Sequence, residues 1–600
     1  MSSATPHPLT YLLGGALAGF ATYKLVLYLK GVLHRAGLRK KIEQRRKERD
    51  ASIEMAKKQF AATDPNRRRA IQDMSYETIK LNLREGSVTA TQVLHAFQEQ
   101  TVKAQQLTNC ITQFLSEAES VAKQLDKLSK EEKEKLPLFG LPFSIKDELA
   151  TKGYDSTWGY AQKIGHPKAE DNLMLSVLRD LGAIPMVRTN VSQTLMNAAC
   201  ANPIYGASNN RWSKHRIPGG SSGGEGALLS CRGSLFGLGS DVGGSCRMPA
   251  HNSGVIGYKP TQYRFSMFNG NDETQTQALV VNTYGMLAQS ATILHDVLHA
   301  VYNYDIHALD PVVPPLMWRP VEARVSEHLT IGWYDSDDFV PSVPAVRRAI
   351  QTARDALKKD GHTVVPFKIP DIDKAEQAVL IAALMDDGTK LSKLLDQDIR
   401  EPDELFSYQF LGRHKWVCYS SLIDCCPKLY HNYFWVRYIK SLPYGQRFVD
   451  WNQNVFCESL NHLQQTYMWM YKYRRDVAKL WKYAKLDALI CPPTPSAALK
   501  HRHSPQLRVA HCHTTVFNCL NFPAGVIRGT RVTQADVQKC RDEYQHRDLW
   551  DQVIHEANSG EDAVGLPIGV QCVTLPYEDE LLLHVMRLLE ALMHTNELWS

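Results

Sequence analysis

The sequence predicts an α/β fold in one large domain, preceded by an N-terminal transmembrane helix. From about residue 76 onward, short apolar runs alternate with longer amphipathic stretches, which is the pattern of a sheet covered by helices. Three such apolar runs are Leu138 to Ile145, Ala183 to Val187 and Ala488 to Cys491. Two Pro-rich segments, 310–315 and 491–495, are too short to link independent domains. The main domain is therefore predicted over residues 76–600.

Composition excludes several classes of protein. With 44% hydrophobic and 22% charged residues among 600, the chain is an ordinary globular protein with a large core. The net charge of +6 is small for this length, and much of the basic excess lies in one N-terminal stretch, so no nucleic-acid-binding face is predicted. The 13 cysteines are scattered, odd in number and without a CxxC pair. This usage favours a reducing compartment that faces the cytosol.

Residues 9–33 are apolar apart from Lys24, Lys30 and a few small or hydroxyl residues, and this length can cross a hydrocarbon core of about 30 Å. A basic run follows, and the positive-inside rule places the rest of the chain in the cytosol. The basic residues are Lys30, Arg35, Arg39, Lys40, Lys41, Arg45, Arg46, Lys47 and Arg49. We therefore expect a membrane anchor at 1–33, a basic helical connector at 34–75, and a single-pass protein of an endomembrane such as the endoplasmic reticulum.

Three other interpretations of the N-terminus stay open. Lys24 would lie deep in the bilayer, so a partly inserted amphipathic helix is one alternative. Ala16-Leu17-Ala18 has the small-x-small form of a signal-peptide cleavage site, although a basic n-region is missing. An ordinary buried helix is the third.

Twelve of the 36 glycines lie between Pro218 and Gly257, where they bracket particular serines. Glycines at such density let the backbone approach a ligand and point several N–H groups at one spot. A phosphate-binding P-loop is disfavoured, because no lysine follows the glycines at the required spacing. The stretch 220–224 matches GxSxG around Ser222, but that nucleophile elbow needs a preceding strand, and residues 211–218 are polar and end at a proline.

This block resembles the signature of the amidase signature family. The stretch reads R-x-PGGSSGGEGALL from Arg216, then GLGSDVGGSCRMPA and GVIGYKPT up to Thr261. Residues 139–147 (FGLPFSIKD), 517–525 (FNCLNFPAG) and 565–571 (GLPIGVQ) resemble flanking family strands. The resemblance covers about residues 76–595. It implies a twisted mixed central sheet with helices on both faces, amide hydrolysis through an acyl-enzyme, no cofactor or metal, and a homodimer.

The resemblance also implies a Ser-Ser-Lys triad, in which Ser245 is the nucleophile, Ser221 relays the proton, and Lys146 is the base and later the acid. Strand alternation places Ser144 and Lys146 on one face and directs Asp147 away. A lysine acts as a base near neutral pH when burial removes it from water and no carboxylate lies beside it. We therefore expect Lys146 to be buried without an anionic partner.

The turn after the second glycine cluster is expected to bind the tetrahedral oxyanion. The backbone N–H groups of Val242, Gly243, Gly244 and Ser245 follow one another there, and such donors are worth about 3 to 4 kcal/mol each. We expect Arg247 and Ser222 to support the loop. Family resemblance further marks Leu195 as a substrate contact, in a segment without the family's usual aromatic residues, so the preferred acyl chain stays open.

Two other patterns have competing interpretations. His501 with His503, and His511 with His513, could each place two imidazoles on one face of a strand as metal ligands, but no acidic ligand accompanies them. The segment 406–448 has an aromatic-basic composition typical of a membrane contact, with ordinary core packing as the alternative. Its aromatic and apolar members are Phe410, Leu411, Trp416, Tyr430, Tyr433, Phe434, Trp435 and Tyr438.

Three functions therefore remain. The first is a membrane-bound serine amidase that cleaves fatty-acid amides, such as N-acylethanolamines and primary fatty amides, as the N-terminal helix and the family-like segment 309–315 favour. The second is an amidase for small polar amides, or an amidotransferase subunit. The third is a catalytically idle membrane scaffold, which the intact Ser-Ser-Lys set disfavours.

Overall fold

A computed structural model describes residues 8–270, 280, 282–321, 327–337, 339–386, 388–401, 451, 455 and 457–593. These residues form one mixed sheet of eleven strands, in the order β1-β3-β2-β4-β6-β5-β10-β11-β9-β7-β8. The strands are β1 Ile111–Phe114, β2 Pro142–Lys146, β3 Ile184–Thr189, β4 Phe236–Asp241, β5 Ile256–Lys259, β6 Thr283–Ala288, β7 Thr330–Trp333, β8 Thr363–Pro366, β9 Ala488–Cys491, β10 Ala524–Arg531 and β11 Pro567–Val573.

Among the described residues, helices precede the first strand, separate many of the strands and follow the last one. The N-terminal half contains α1 Pro8–Phe60, α2 Pro65–Asp73, α3 Tyr76–Glu85, α4 Ala90–Thr108, α5 Ala118–Asp126, α6 Lys130–Glu134, α7 Leu173–Asp180, α8 Gly223–Ser230 and α9 Arg247–Ser253. The remainder contains α10 Ala291–Tyr302, α11 Ile306–Leu309, α12 Pro344–Lys359, α13 Ile372–Ala383, α14 Thr389–Asp396, α15 Leu460–Tyr483, α16 Cys512–Leu520, α17 Gln534–Glu543, α18 Leu549–Asn558 and α19 Asp579–Leu592.

The predicted α/β architecture with a mixed sheet is confirmed. Strand β2 runs parallel to β3 and β4, whereas β4 pairs antiparallel with β6. All three apolar runs singled out in the sequence contain or overlap a strand, namely β2, β3 and β9. One large apolar cluster extends from Ala56 to Met593 through the described chain. The sheet thus places the ends of β2 and β4 side by side, where the glycine-serine block follows.

The N-terminus is part of one long helix, α1, of 53 residues. Between residues 23 and 33 its large apolar side chains are exposed by 41% or more. No helix among the described residues combines the length and apolar content required to cross a bilayer. The predicted transmembrane helix is therefore not supported.

The second half of α1 packs against the main domain. Lys41 donates to the Ile164 carbonyl at 3.0 Å, and Arg46 donates to the Ile204 carbonyl at 2.6 Å. Arg45 forms an ion pair with the buried Asp155. Part of the basic run therefore contacts protein, and the segment predicted as a connector shares a core with the sheet, since Ala56 belongs to the same apolar cluster.

Two predicted features need separate mention. The segment 406–448, predicted as a membrane contact, lies outside the described residues. The two histidine pairs were expected on strands, and this expectation is wrong: His501–Gln506 and Arg508–His511 are 3-10 helices, and α16 begins at Cys512.

Candidate active site

Strand β2 carries Lys146 at its end, and the side chain is completely buried. Its Nζ donates to Ser221 Oγ at 2.8 Å and to Ser240 Oγ at 2.6 Å. Ser240 lies on the adjacent strand β4, so the two neighbouring parallel strands bring the amine and the hydroxyl together. The sequence-predicted lysine and one predicted serine are therefore in direct contact.

The expectation that Lys146 has no anionic partner is wrong. Glu148 Oε2 lies 3.1 Å from Lys146 Nζ, and this carboxylate is as deeply buried as the amine. Its remaining contacts are hydrogen bonds from Ser240 Oγ and from Asn282 Nδ2, the latter at 2.6 Å. The reason is that Glu148 lies in the turn after β2, which the Leu149 N–H closes on the Lys146 carbonyl at 3.0 Å, and this turn brings the carboxylate back to the amine. Asp147 points the other way, as predicted, and accepts from Thr157.

Ser221 lies two residues before the first residue of α8, after a cis peptide bond from Gly220. At Gly220 a Cβ atom would come within 2.4 Å of the Asn197 carbonyl oxygen, so only glycine fits this approach. The residues before Gly220 form turns and irregular chain instead of a strand, and Ser222 Oγ is buried with a hydrogen bond to the Ser240 carbonyl. These features disfavour the nucleophile-elbow interpretation of Ser222.

Ser245 occupies the turn between β4 and α9 and lies against Ser222, whose N–H donates to the Ser245 carbonyl at 3.2 Å. Ser245 is 7% exposed, compared with 2% for Ser221 and 0% for Lys146. Exposure therefore rises from the lysine through the first serine to the second. This is the order expected if Ser245 meets the substrate and Lys146 stays shielded from water.

The turn presents fewer free amides to an oxyanion than predicted. Gly244 N–H donates to Asp241 Oδ1 at 2.8 Å, so this amide is already occupied. The amides of Gly243 and Ser245 have no hydrogen-bond acceptor among the described residues. Val242 lies half-buried at the beginning of the turn. The candidates for oxyanion binding are therefore the Val242, Gly243 and Ser245 amides.

Two hydroxyls from α16 fix the orientation of this turn. Thr514 Oγ1 and Thr515 Oγ1 donate to the Gly243 carbonyl at 2.7 and 3.1 Å. Gly244 has a φ of +125°, and a Cβ there would come within 2.2 Å of Thr514 Oγ1, so the close approach requires glycine. No local signal in the sequence linked these threonines to Gly243, which precedes them by 271 and 272 residues.

Arg247 lies at the beginning of α9 and is fully buried. It forms a two-pronged ion pair with Asp241, at 2.8 and 3.0 Å, and donates to Gln571 Oε1 and Asn518 Oδ1. This arginine holds the pKa of Asp241 far below its usual range, against the effect of burial. Because Asp241 also binds the Gly244 and Cys246 amides, Arg247 acts on the turn through that carboxylate.

Leu195 lies in a separate apolar cluster near the serines. It packs with Trp158, Tyr160, Val191 and Leu395, and the partly buried Leu391 and Leu394 of α14 lie against the same cluster. Ser192 Oγ donates to the Asn197 carbonyl, the same carbonyl that approaches Gly220. The apolar wall is thus connected to the backbone that precedes Ser221.

One cluster of potential metal ligands is present among the described residues. Asp337, Cys512 and His513 place one ligand atom each within 4.8 Å of one another. Of the four histidines considered from the sequence, only His513 belongs to it. Asp337 supplies the acidic group that the local sequence lacked.

The chain matches the protein family described as Amidase over residues 92–583. It belongs to the amidase family. Members of this family with the amidase signature hydrolyse amide carbon–nitrogen bonds, and this amidase is accordingly an amide hydrolase. The resemblance noted in the sequence is confirmed.

Several relatives of this amidase have names that indicate their substrates. Fatty acid amide hydrolase 1 of Caenorhabditis elegans is 32% identical over 95% of this chain and 99% of the relative. Fatty-acid amide hydrolase 1 of Sus scrofa is 33% identical over 85% and 84%. An acetamidase of Emericella nidulans is 29% identical over 84% and 86%. A solved fatty acid amide hydrolase structure has the same fold, with a TM-score of 0.75 and 24% identity over 92% and 94%.

Proposed function

We propose that this amidase hydrolyses fatty-acid amides at a membrane through a Ser-Ser-Lys triad, with Ser245 forming an acyl-enzyme. The observation that carries the chemistry is the 2.8 Å hydrogen bond between the buried Lys146 Nζ and Ser221 Oγ, beside the turn that holds Ser245. A hydroxyl can accept and donate at once, so Ser221 can pass a proton between the lysine and a third group.

In this proposal Lys146 takes a proton from Ser221, which in turn takes the proton of Ser245 as that oxygen attacks the amide carbonyl. The same path then runs in reverse, and Lys146 returns the proton through Ser221 to the departing nitrogen. Protonation of the nitrogen matters because amines are poor leaving groups. Water subsequently attacks the acyl-enzyme and releases the acid.

The oxyanion is proposed to bind the free amides of the turn. A peptide group held on its carbonyl side presents its N–H with little freedom, and such preorganised donors stabilise developing charge strongly. The Gly244 carbonyl accepts from Met248 N–H at 2.7 Å, which fixes the peptide that carries the Ser245 amide. Arg247 and Ser222 have supporting roles in this arrangement.

Lipid amides are supported as substrates by the apolar wall of Leu195, Trp158 and Tyr160 and by the names of the two animal relatives. Membrane attachment is supported by the exposed apolar side chains of α1, among them Leu25, Tyr28 and Leu33. The location on a cytosol-facing endomembrane and the homodimer are part of the proposal, and rest on the basic run and on family resemblance.

The test of the nucleophile is labelling with a fluorophosphonate probe. We expect the wild-type protein to be labelled at Ser245, and Ser245→Ala to lose both labelling and turnover, because the neighbouring Cys246 is completely buried and donates to the Ser240 carbonyl. Ser222→Ala is the matched control and should still be labelled. Probe found on Ser222 in the Ser245→Ala protein would instead favour the elbow interpretation.

The test of the substrate is competition against that labelling by a series of amides. Long-chain acylethanolamides and primary fatty amides should compete at much lower concentration than acetamide. The acetamidase relative makes small polar amides the second candidate. Equal or better competition by acetamide would favour that candidate and leave the role of Ser245 intact.

A further inference from the structure

Asp337, Cys512 and His513 form a buried cluster that the proposed hydrolysis does not use. Asp337 follows β7, whereas Cys512 and His513 open α16, 175 and more residues later. Asp337 Oδ2 lies 3.1 Å from His513 Nε2 and 4.0 Å from Cys512 Sγ. A carboxylate, a thiol and an imidazole therefore converge from two distant segments of the chain.

The imidazole of His513 is fully buried beside the Asp337 carboxylate. The residue is 0% exposed, its Nε2 lies 3.1 Å from Asp337 Oδ2, and the ring also has the Val340 backbone as a hydrogen-bonding neighbour. The ring of Tyr334 stacks on it at 6.0 Å. A buried imidazole beside a carboxylate and a thiol offers the nitrogen, oxygen and sulfur donors that a transition-metal ion takes in proteins.

We propose that Asp337, Cys512 and His513 bind Zn²⁺. Zinc takes nitrogen, oxygen and sulfur ligands at about 2.0 to 2.3 Å in a tetrahedron, which separates ligand atoms by roughly 3.3 to 3.6 Å. The observed separations of 3.1 and 4.0 Å lie on either side of this range. A thiolate and a carboxylate also balance the two positive charges of the ion, so the buried site is neutral overall. The fourth position is left to water or another ligand.

The position of the site assigns it a structural effect on the active site. His513 directly precedes Thr514 and Thr515, whose hydroxyls hold the Gly243 carbonyl. The His513 carbonyl accepts from Gln571 Nε2 at 3.0 Å, and Gln571 in turn accepts from Arg247. A zinc ion would fix the first turn of α16 to the segment after β7. Its three ligands are thus positioning residues for the oxyanion turn.

The test is metal content and cobalt spectroscopy on the full-length protein in detergent, without a histidine tag. After incubation with Zn²⁺ and desalting, we expect about one zinc per chain by mass spectrometry. Protein loaded with Co²⁺ should show the visible bands of a tetrahedral site and a thiolate charge-transfer band. Cys512→Ser should lose the charge-transfer band, and Asp337→Asn and His513→Gln should lower zinc content. Cys519→Ser and His511→Gln, on or next to the same helix, are matched controls and should keep both signals.

Thermal unfolding adds a readout that does not need soluble variants. Zn²⁺ should raise the melting temperature of the wild-type protein, and a chelator should reverse the rise. Wild-type protein that takes up no zinc, or cobalt spectra without a thiolate band, would overturn the proposal and leave Asp337 and His513 as an ordinary polar contact. Zinc retained in full by Cys512→Ser and His513→Gln would overturn it equally. Neither result bears on Ser245, because fluorophosphonate labelling measures the triad separately.

Discussion

Strand β2 ends between two buried groups of charges that are arranged differently. On one side, Lys146 contacts Glu148 and donates to two serine hydroxyls. On the other side, Arg188 contacts Asp147 at 3.3 Å and donates to the Asp147 carbonyl at 2.7 Å. Both clusters are almost completely shielded from water.

The difference lies in the cation and in its surroundings. Lysine carries a compact amine that can exchange a proton, whereas arginine stays charged and binds through a fixed planar fork. The Arg188 side is extended to the N-terminal helix, because Arg188 also donates to the Asp155 carbonyl and Asp155 pairs with Arg45. We infer that one side moves protons and the other holds the end of β2 in place. Changes on the two sides should therefore separate activity from stability.

The largest effect is expected from Lys146→Ala, in the group of charges that we propose moves protons. It should lower kcat for an amide by about 10²- to 10⁴-fold, the usual value of general acid–base catalysis. The loss should be smaller for the matched ester, since an alkoxide leaves more easily than an amine. Steady-state kinetics with an amide and an ester of the same acyl group measure both. Equal losses for the two substrates would remove Lys146 from the role of the acid.

Arg188→Met should act on stability instead. The change leaves Asp147 buried without its cation, which typically costs about 3 to 5 kcal/mol in free energy of unfolding. Burial already raises the pKa of Asp147, and Arg188 opposes this rise. Denaturant unfolding in detergent measures the loss, and the amide-to-ester activity ratio of the remaining folded protein should equal that of the wild type. A ratio that moves as it does in Lys146→Ala would contradict the separation of the two sides.

Glu225 is a third buried carboxylate beside β2, and its ionisation can be tested through the pH dependence of stability. It accepts from Ser144 Oγ at 2.5 Å and from Thr189 Oγ1 at 2.7 Å, and burial raises its pKa from 4.5 to about 7. The folded state therefore holds this proton more tightly than the unfolded state. Stability from this group is present below pH 4.5 and is lost as the pH rises to about 7, by about 3 kcal/mol.

Glu225→Gln should remove this loss, because an amide does not ionise. Melting temperatures between pH 5 and pH 8 should fall less steeply with pH for the variant than for the wild type. The exposed Glu131→Gln is the control and should follow the wild-type curve. Parallel curves for Glu225→Gln and the wild type would show that Glu225 does not titrate in this range.

The smallest effect is expected from Arg45→Met, which lies at the N-terminal-helix end of the group of charges around Arg188. The change removes one donor from the buried Asp155 carboxylate, which lowers the free energy of unfolding by about 1 to 3 kcal/mol. The Gly165 amide still donates to Asp155 at 2.8 Å, which favours the lower end. Arg39→Met is the matched control on the exposed side of the same helix. Unfolding in denaturant should show a lower free energy of unfolding for Arg45→Met only, and kcat should be unchanged in both variants.

The sequence by itself determined the strands that carry Lys146 and the turns that carry Ser221 and Ser245, because each is encoded by neighbouring residues with a required spacing. It also fixed the face of Lys146 through strand alternation. The rule ends with the strand, and Glu148 lies in the turn that follows, so its contact with Lys146 was not predicted by alternation.

The tertiary structure alone decided which groups meet across the sheet. Thr514 reaches Gly243, and Asp337 reaches His513, over 271 and 176 residues. These contacts depend on the order of the eleven strands, in which β10 lies beside β5 and β7 lies beside β9. Periodicity and motif spacing describe only a few neighbouring residues, so they carry no information about contacts between distant segments of the chain. The availability of the Gly244 amide was decided in the same way, by where the Asp241 carboxylate points.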